Sequence, residues 1–452
     1  MRIHFIAIGG AAMHNLAIAL KNNNHIVSGS DDIINDPSKS RLIKHGLLPK
    51  KVGWDAEKIS KELDAVILGM HAKSDNPELL KARELKVKIF SYPEFIFNQS
   101  INKFRVVIGG SHGKTTITSM ILHVMNFNNI EVDYMVGAQL KGFDVMVKIT
   151  EENKFIILEG DEYLTSPIDL RPKFHLYKPD LALISGIAWD HINVFPTYEI
   201  YLEQFKIFID SIQKNGTLVY NSDDIDLNNM VKKTTNMINK VPYKTPSYFV
   251  KNNITYLDME NKNIPLKIFG EHNLNNLMGA KFICQQMGID EDNFFSAITS
   301  FYGASNRLEL ICKNSTSIAY KDFAHSPSKV IATTSAVRSQ NSDKKIVACL
   351  ELHTYSSLNI NFIKQYKNAL NSADEAIIFY SKKALKLKGM KDLIDSEIKT
   401  AFNHKNLTVI NNNKDLINYL SSLEYFNLTL LMMSSGEFEG IDLGIINDFM
   451  KK

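Results

Sequence analysis

Short apolar runs closed by glycine or polar residues alternate along this chain with stretches in which apolar residues recur every three or four positions, the pattern of strands and helices in turn. Residues 2–8 read as a buried strand, Gly9-Gly10 as a turn, and Met13, Leu16, Ala17 and Leu20 as one face of a helix. Residues 25–29 give a second strand, ending at Ser30-Asp31-Asp32. A strand at 65–68, a helix at 77–85 and a strand at 87–90 continue the rhythm, so residues 1–100 form one small α/β domain. A strand at 104–108 opens a second domain over 101–310. There Ile117, Met120, Ile121, Val124 and Met125 mark a helix, strands are predicted at 132–136, 155–158 and 181–185, and helices at 198–212 and 273–287. Strands at 316–321, 345–350, 375–379 and 428–433 alternate with helices in a third domain, 311–452. The expected class is α/β with mostly parallel sheets. No internal repeat, low-complexity tract or disordered tail is evident.

Composition narrows the functional classes. At 452 residues the chain is too long for one core, and 44% hydrophobic with 22% charged residues is ordinary for a globular protein. A net charge of +3 without a basic tract gives no grounds for bulk nucleic-acid binding. Cys284, Cys312 and Cys349 are isolated in apolar contexts and lack metal-ligand spacing, so buried reduced thiols are expected. No apolar run reaches the roughly 18 residues of a membrane span. The chain enters its first strand without a signal-peptide cleavage region, and a cytoplasmic location is expected.

The chemistry gathers at strand ends. Val106-Val107-Ile108 stops at Gly109-Gly110, and Ser111-His112-Gly113-Lys114-Thr115-Thr116 leads into the next helix. Strand, glycine loop and helix N-terminus together cradle phosphates with backbone N–H groups. Lys114 is placed to reach the β/γ-phosphates of a nucleoside triphosphate and the Thr115 hydroxyl to ligate its Mg²⁺. Ile108 stands where the general phosphate-loop pattern has its first glycine. The next strands run into Glu159-Gly160-Asp161-Glu162 and into Trp189-Asp190-His191, on the edge where open α/β sheets bind ligands. Glu159 and His191 are therefore candidate Mg²⁺ ligands; a solvated acidic turn and a capping pair are the alternatives. His272-Asn273-Leu274-Asn275-Asn276 opens a helix and suits either capping or amide pairing with an adenine ring. In the third domain, Asp322-Phe323-Ala324-His325 and Ser434-Ser435-Gly436-Glu437 follow strands and are candidate substrate-facing edges. At the N-terminus, Ile8, Gly10 and Met13 occupy the positions of Gly-x-Gly-x-x-Gly, which argues against a nicotinamide dinucleotide there.

Taken together these motifs resemble the Mur ligases, ATP-dependent amide-forming enzymes of peptidoglycan synthesis and recycling, over essentially the whole chain. The resemblance implies a three-domain Mur ligase architecture: a Rossmann-like domain for a uridine-diphosphate sugar, a P-loop ATPase domain and a C-terminal Rossmann-like domain for the amine. Gly110, Ser111, His112, Gly113, Lys114, Thr115 and Thr116 match the family's ATP loop. Thr115, Glu159 and His191 look like its Mg²⁺ ligands, and His272, Asn273 and Asn276 its adenine side. Arg307, Asp322 and His325 resemble contacts that the third domain makes with the nucleotide on closing. UDP-N-acetylmuramate would lie with its diphosphate at Gly10, Ala11 and Met13, near Ser30, Asp31 and His71. The family's Asp-Asp-Tyr-Ala-His-His-Pro has Lys321 and Ser326 at its first and sixth positions here. Lys206, near a position carbamylated in some members, is read as a helix lysine.

The implied reaction is an ADP-forming ligation through an acyl phosphate, with His191 and His325 both open as general base. Residues 433–441 are similar to the ending of recycling members, so the implied amine is the tripeptide L-Ala-γ-D-Glu-meso-diaminopimelate, contacted by Ser435 and Glu437. L-alanine is the alternative amine. No nucleic-acid partner and no membrane span are expected, and the enzyme is expected to be a monomer or weak homodimer.

Overall fold

The predicted alternation resolves, in a computed structural model that describes all residues except 141, 191–193, 260–261, 306 and 452, into three largely parallel sheets. The first contains Ile26–Ser30, Arg2–Ile6, Ala65–Leu68 and Ile89–Ser91 in that order, all parallel. Its strand order reverses at Arg2–Ile6, so the Gly9-Gly10 turn stands at the switch point, where neighbouring loops diverge and leave a crevice.

The second sheet has seven strands, ordered Asn239–Tyr243, Thr217–Asn221, Leu181–Ile184, Phe104–Gly109, Phe155–Glu159, Asp133–Met135 and Val147–Lys148. Only the last pairing is antiparallel. Phe104–Gly109 is the switch strand here. Register aligns Ile108 with Glu159 on one side and Gly109 with Ile184 on the other, which brings the glycine loop, the acidic turn and the Ser185-Gly186 turn to one level. The strands at Thr217–Asn221 and Asn239–Tyr243 are absent from the sequence reading. The latter carries Pro242 and exposed polar residues, which an edge strand tolerates and a periodicity reading passes over.

The third sheet orders Glu309–Lys313, Ile318–Asp322, Leu428–Met433, Lys345–Leu352, Glu375–Tyr380 and Leu407–Ile410, with only the first strand antiparallel. Along Lys345–Leu352 successive residues enter opposite cores: Ile346, Ala348, Leu350 and Leu352 on one face, Val347 and Cys349 on the other. That is the burial of a central parallel strand covered on both faces. A three-stranded antiparallel sheet, Tyr248–Lys251, Ile254–Met259 and Lys262–Leu266, completes the β-structure with the hairpin Leu164–Ser166/Asp169–Pro172.

The chain packs as two compact units. One comprises residues 1–187, 197–244 and 279–294 and holds the first two sheets; the other comprises 188–196, 245–278 and 295–452 and holds the third. All three cysteines are buried free thiols, as expected. Among the described residues no helix is long and apolar enough to cross a membrane.

Candidate active site

In the first unit, Phe104–Gly109 delivers the chain to a turn that only glycine fits. Gly110 has φ +126°, and a β-carbon there would collide with Ser185 Oγ and lie 2.9 Å from the Ser185 nitrogen. Gly113, at φ +81°, caps the helix Lys114–Phe127 without a side chain. Ser111 N–H donates to Gly186 O at 2.9 Å, and Ser185 Oγ donates to His112 O, so the neighbouring strand end braces the loop.

Lys114 Nζ donates to Gly110 O at 2.6 Å and pairs with Glu162 at 2.5 Å. Burial pulls this lysine toward neutrality, but Glu162, Asp161 and Glu159 outweigh it and hold its pKa above the ordinary value. Thr115 Oγ1 donates to Glu159 Oε1 at 2.7 Å, while Gly137 N–H holds Oε2 at 2.9 Å. Burial raises the Glu159 pKa against these hydrogen bonds. A hydroxyl and a carboxylate oxygen this close match two neighbouring ligands of Mg²⁺, which in an octahedron of bonds near 2.1 Å lie about 3 Å apart. Among the described residues no three His, Cys, Asp or Glu side chains form a metal cluster. A phosphate-bound Mg²⁺ needs fewer, because phosphate oxygens and waters complete its shell. The donor set fits. His191 lies outside the described residues.

At the first sheet, Gly10 caps the helix Ala11–Asn22, with Met13 in its first turn. Ser30 ends the adjacent strand, Asp31 follows it, and exposed His71 follows Ala65–Leu68, so the sugar-side candidates share one edge. Asp31 is more brace than free ligand. Its Oδ2 accepts Gly9 N–H at 2.7 Å, and a β-carbon on Gly9 would lie 2.9 Å from that oxygen. Burial raises the Asp31 pKa. Ser30 Oγ accepts from Lys58 Nζ at 2.8 Å.

His14, one turn after Gly10, belongs to a network through which Arg41 and Asn15 reach residues near the second sheet of this unit. Its Nδ1–H donates to Gly10 O at 2.9 Å, and Nε2 accepts from Asn15 at 3.2 Å and Arg41 at 3.4 Å. Arg41 also donates to Gln139 Oε1 at 2.8 Å, and Met146 N–H donates to Asn15 Oδ1 at 3.0 Å. Burial first, then Arg41, lowers the His14 pKa and keeps the ring neutral. Met146 thus touches the helix Ala11–Asn22, and Gly137 touches Glu159.

The second unit gathers the remaining candidates. The helix Glu271–Gln286 starts two residues earlier than its pattern suggested, so His272, Asn273 and Asn276 lie inside its first turns and none is its cap. Asn273 donates to Phe269 O at 2.9 Å. Buried His272 Nδ1 has no hydrogen-bond partner among the described residues, and burial lowers the ring's pKa against the field of Asp322. Arg307 lies over the Phe323 ring at 4.7 Å. Asp322 accepts from Leu308 N–H at 2.8 Å, Ala324 N–H at 2.7 Å and Thr333 Oγ1 at 3.2 Å, which commits its carboxylate to shaping this corner. His325 Nδ1–H donates to Phe323 O at 2.8 Å; burial and then Lys329 hold its pKa down at about 4. Asp190 pairs with Lys329 at 3.1 Å. Beyond Leu428–Met433, Ser435 and Glu437 line a cavity of about 750 Å³ together with Glu309, Lys321, Asp322 and Asp442. In the first unit, Lys206 is an exposed helix lysine 3.4 Å from Glu203.

Comparison with known proteins decides the family. Residues 2–101 match the description "Mur ligase family, catalytic domain", and residues 108–284 match "Mur ligase middle domain". The chain is 30% identical to a UDP-N-acetylmuramate–L-alanine ligase of Caldicellulosiruptor saccharolyticus over 392 residues, 83% of each protein. It belongs to the Mur ligase family. Two solved structures share the fold at 19% identity. A murein peptide ligase from Psychrobacter arcticus gives a TM-score of 0.67 over 100% of this chain and 99% of that one. A UDP-N-acetylmuramate–alanine ligase from Thermotoga maritima gives 0.72 over 100% and 98%. As a Mur ligase the protein is an ATP-dependent, ADP-forming acid–amine ligase of peptidoglycan metabolism, in keeping with its phosphate loop.

Several working parts of this Mur ligase escape a reading of the sequence. Glu162 is visible there only as part of an acidic turn; the fold makes it the counter-ion of Lys114. Gly137 carries no motif, yet its N–H orients Glu159. Arg41 and Gln139 are 98 residues apart, and nothing local announces their meeting.

Proposed function

We propose that this Mur ligase joins UDP-N-acetylmuramate to the free tripeptide L-alanyl-γ-D-glutamyl-meso-diaminopimelate, with ATP and Mg²⁺. The supporting observation is the cavity at residues 434–444: about 750 Å³ is room for a peptide and far more than a single alanine fills. The division of labour assigns the sugar nucleotide to residues 1–100, ATP to 101–310 and the amine to 311–452. Thr115 and Glu159 would hold Mg²⁺, which when bound with ATP neutralises charge on the transferred phosphoryl group. Lys114 supplies fixed positive charge at the loop, and Ser111 to Thr116 offer backbone N–H groups to the phosphates. The lactyl carboxylate attacks the γ-phosphorus and ADP leaves; the peptide amine then attacks the acyl carbon and phosphate leaves as the amide forms. His325, neutral at pH 7 and poorly basic, suits a hydrogen-bonding role better than that of a general base.

The alanine reading has its own support, because a relative covering 83% of the chain is named as an L-alanine ligase. ADP release with Mg²⁺, ATP and UDP-N-acetylmuramate, supplied with either amine, separates the two. Turnover with tripeptide alone is the expected result; turnover with L-alanine alone overturns it.

A further inference from the structure

The cavity in the second unit has a wall that is held, unlike most loops, by a buried charge. The strand Lys345–Leu352 lies beside Leu428–Met433 with Leu350 opposite Met433, so Glu351 comes level with the start of the cavity loop. Glu351 is 2% exposed. Its Oε2 accepts from Ser434 Oγ and, at 2.9 Å, from Phe438 N–H, one donor at each end of the turn. Ser434 Oγ in turn accepts Gly436 N–H at 2.7 Å. His353, on the next outward position of the same strand end, sits 3.8 Å from Glu351 Oε1. Between these two side chains the backbone of Gly436 passes so closely that a β-carbon would lie 2.7 Å from His353 Nδ1 and 3.0 Å from Glu351 Oε2. The chain then makes three consecutive left-handed residues, Phe438, Glu439 and Gly440, two of which carry side chains that disfavour that conformation. Something must hold such a turn, and the hydrogen bond from Phe438 N–H to Glu351 does so where the strain begins.

We infer that Glu351 is a positioning residue for the amine substrate: its buried carboxylate, with His353 and Gly436 packed against it, fixes the course of residues 434–440 and so the wall formed by Ser435 and Glu437. The inference rests on the reading of this cavity as the amine site. An acceptor is required at Glu351, because both Ser434 and Phe438 present donors to one oxygen. Burial works against the charged carboxylate, but the nearby His353 ring and the hydrogen bonds from Ser434 and Phe438 outweigh it and hold the Glu351 pKa below its ordinary value. A glutamine can keep one oxygen on the two donors, whereas a leucine of similar size cannot.

The test is a KM-against-kcat comparison for Glu351→Leu, Glu351→Gln and Gly436→Ala, using whichever amine the unaltered enzyme turns over. If that amine proves to be L-alanine, the tripeptide reading fails while the positioning role is still tested. Glu351→Leu is expected to raise the amine KM about tenfold or more, with kcat and the KM values for ATP and UDP-N-acetylmuramate changed less than about threefold. Glu351→Gln is expected to restore most of the amine KM. Gly436→Ala removes no charge and should raise the same constant by crowding His353, which decides the matter should Glu351→Leu not fold. An unchanged amine KM in Gly436→Ala and Glu351→Leu, or a parallel rise in all three KM values, overturns the assignment.

Discussion

Around the phosphate loop, geometry comes from backbone and from oppositely charged side chains already in contact. Lys114 rests on Glu162, Thr115 on Glu159, and Ser111 N–H on a neighbouring turn. Around the 434–444 cavity, one buried carboxylate steers a loop with an exposed tip, and the lining charges Glu437 and Asp442 face outward. The contrast fits the demands of the two steps. Phosphoryl transfer needs fixed charge in a fixed place, whereas recognition of an amine needs a wall that can differ between enzymes sharing one scaffold.

The comparison breaks most directly at Lys114. Lys114→Ala is expected to lower ligation about a thousandfold, while titration calorimetry shows UDP-N-acetylmuramate binding within about twofold; equal loss of both would mean the sugar and phosphate sites are not separately built. Glu162→Gln comes next. It leaves a mostly buried ammonium without its carboxylate, and the urea midpoint should fall by an amount equal to about 2–3 kcal/mol. No comparable loss is expected from charge removal at exposed Glu437.

A pH titration sharpens the contrast from the second unit. His325 has a folded pKa of about 4 against an ordinary value of 6.5. Between these values the unfolded chain takes up a proton that the folded chain refuses, so stability is complete above pH 6.5 and declines as pH falls toward 4. The decline should total about 2–3 kcal/mol, and His325→Asn should flatten it in denaturant titrations at stepped pH. Smaller again is Ser435→Ala. Its buried Oγ has no partner among the described residues, and its loss should raise the amine KM about three- to tenfold without lowering the urea midpoint. Lys206→Ala marks the floor: an exposed pair with Glu203 is worth under about 0.5 kcal/mol, and kcat should not move.

What the sequence discloses follows the same division. The phosphate loop is legible because its parts are contiguous, and Glu159 because a strand end beside a switch strand has one place to go. The Gly9-Gly10 turn is legible as a turn for the same reason. Asp31 is visible in the sequence as an acidic residue after a strand, but its hold on Gly9 is not, since that depends on a crossing between two strand ends. Glu162 could be counted but not paired: the turn offers three carboxylates, and only packing selects the one that meets Lys114. Glu351 stands directly after the strand predicted at 345–350 and carries no local signal of its role. Its two hydrogen bonds span 83 and 87 residues and depend on Leu428–Met433 returning beside Lys345–Leu352. Long parallel crossovers of this kind leave no local trace.

Residues 137–146 bear on how such enzymes can be recombined. A chimera that exchanges residues 1–100 for those of a relative cuts Arg41 from Gln139 and Asn15 from Met146, although every exchanged residue lies outside the ATP loop. The segment so released is the one whose Gly137 N–H orients Glu159. A graft that keeps its donor's counterpart of residues 137–146 therefore preserves the seam, and one that respects only the sheet boundaries severs it.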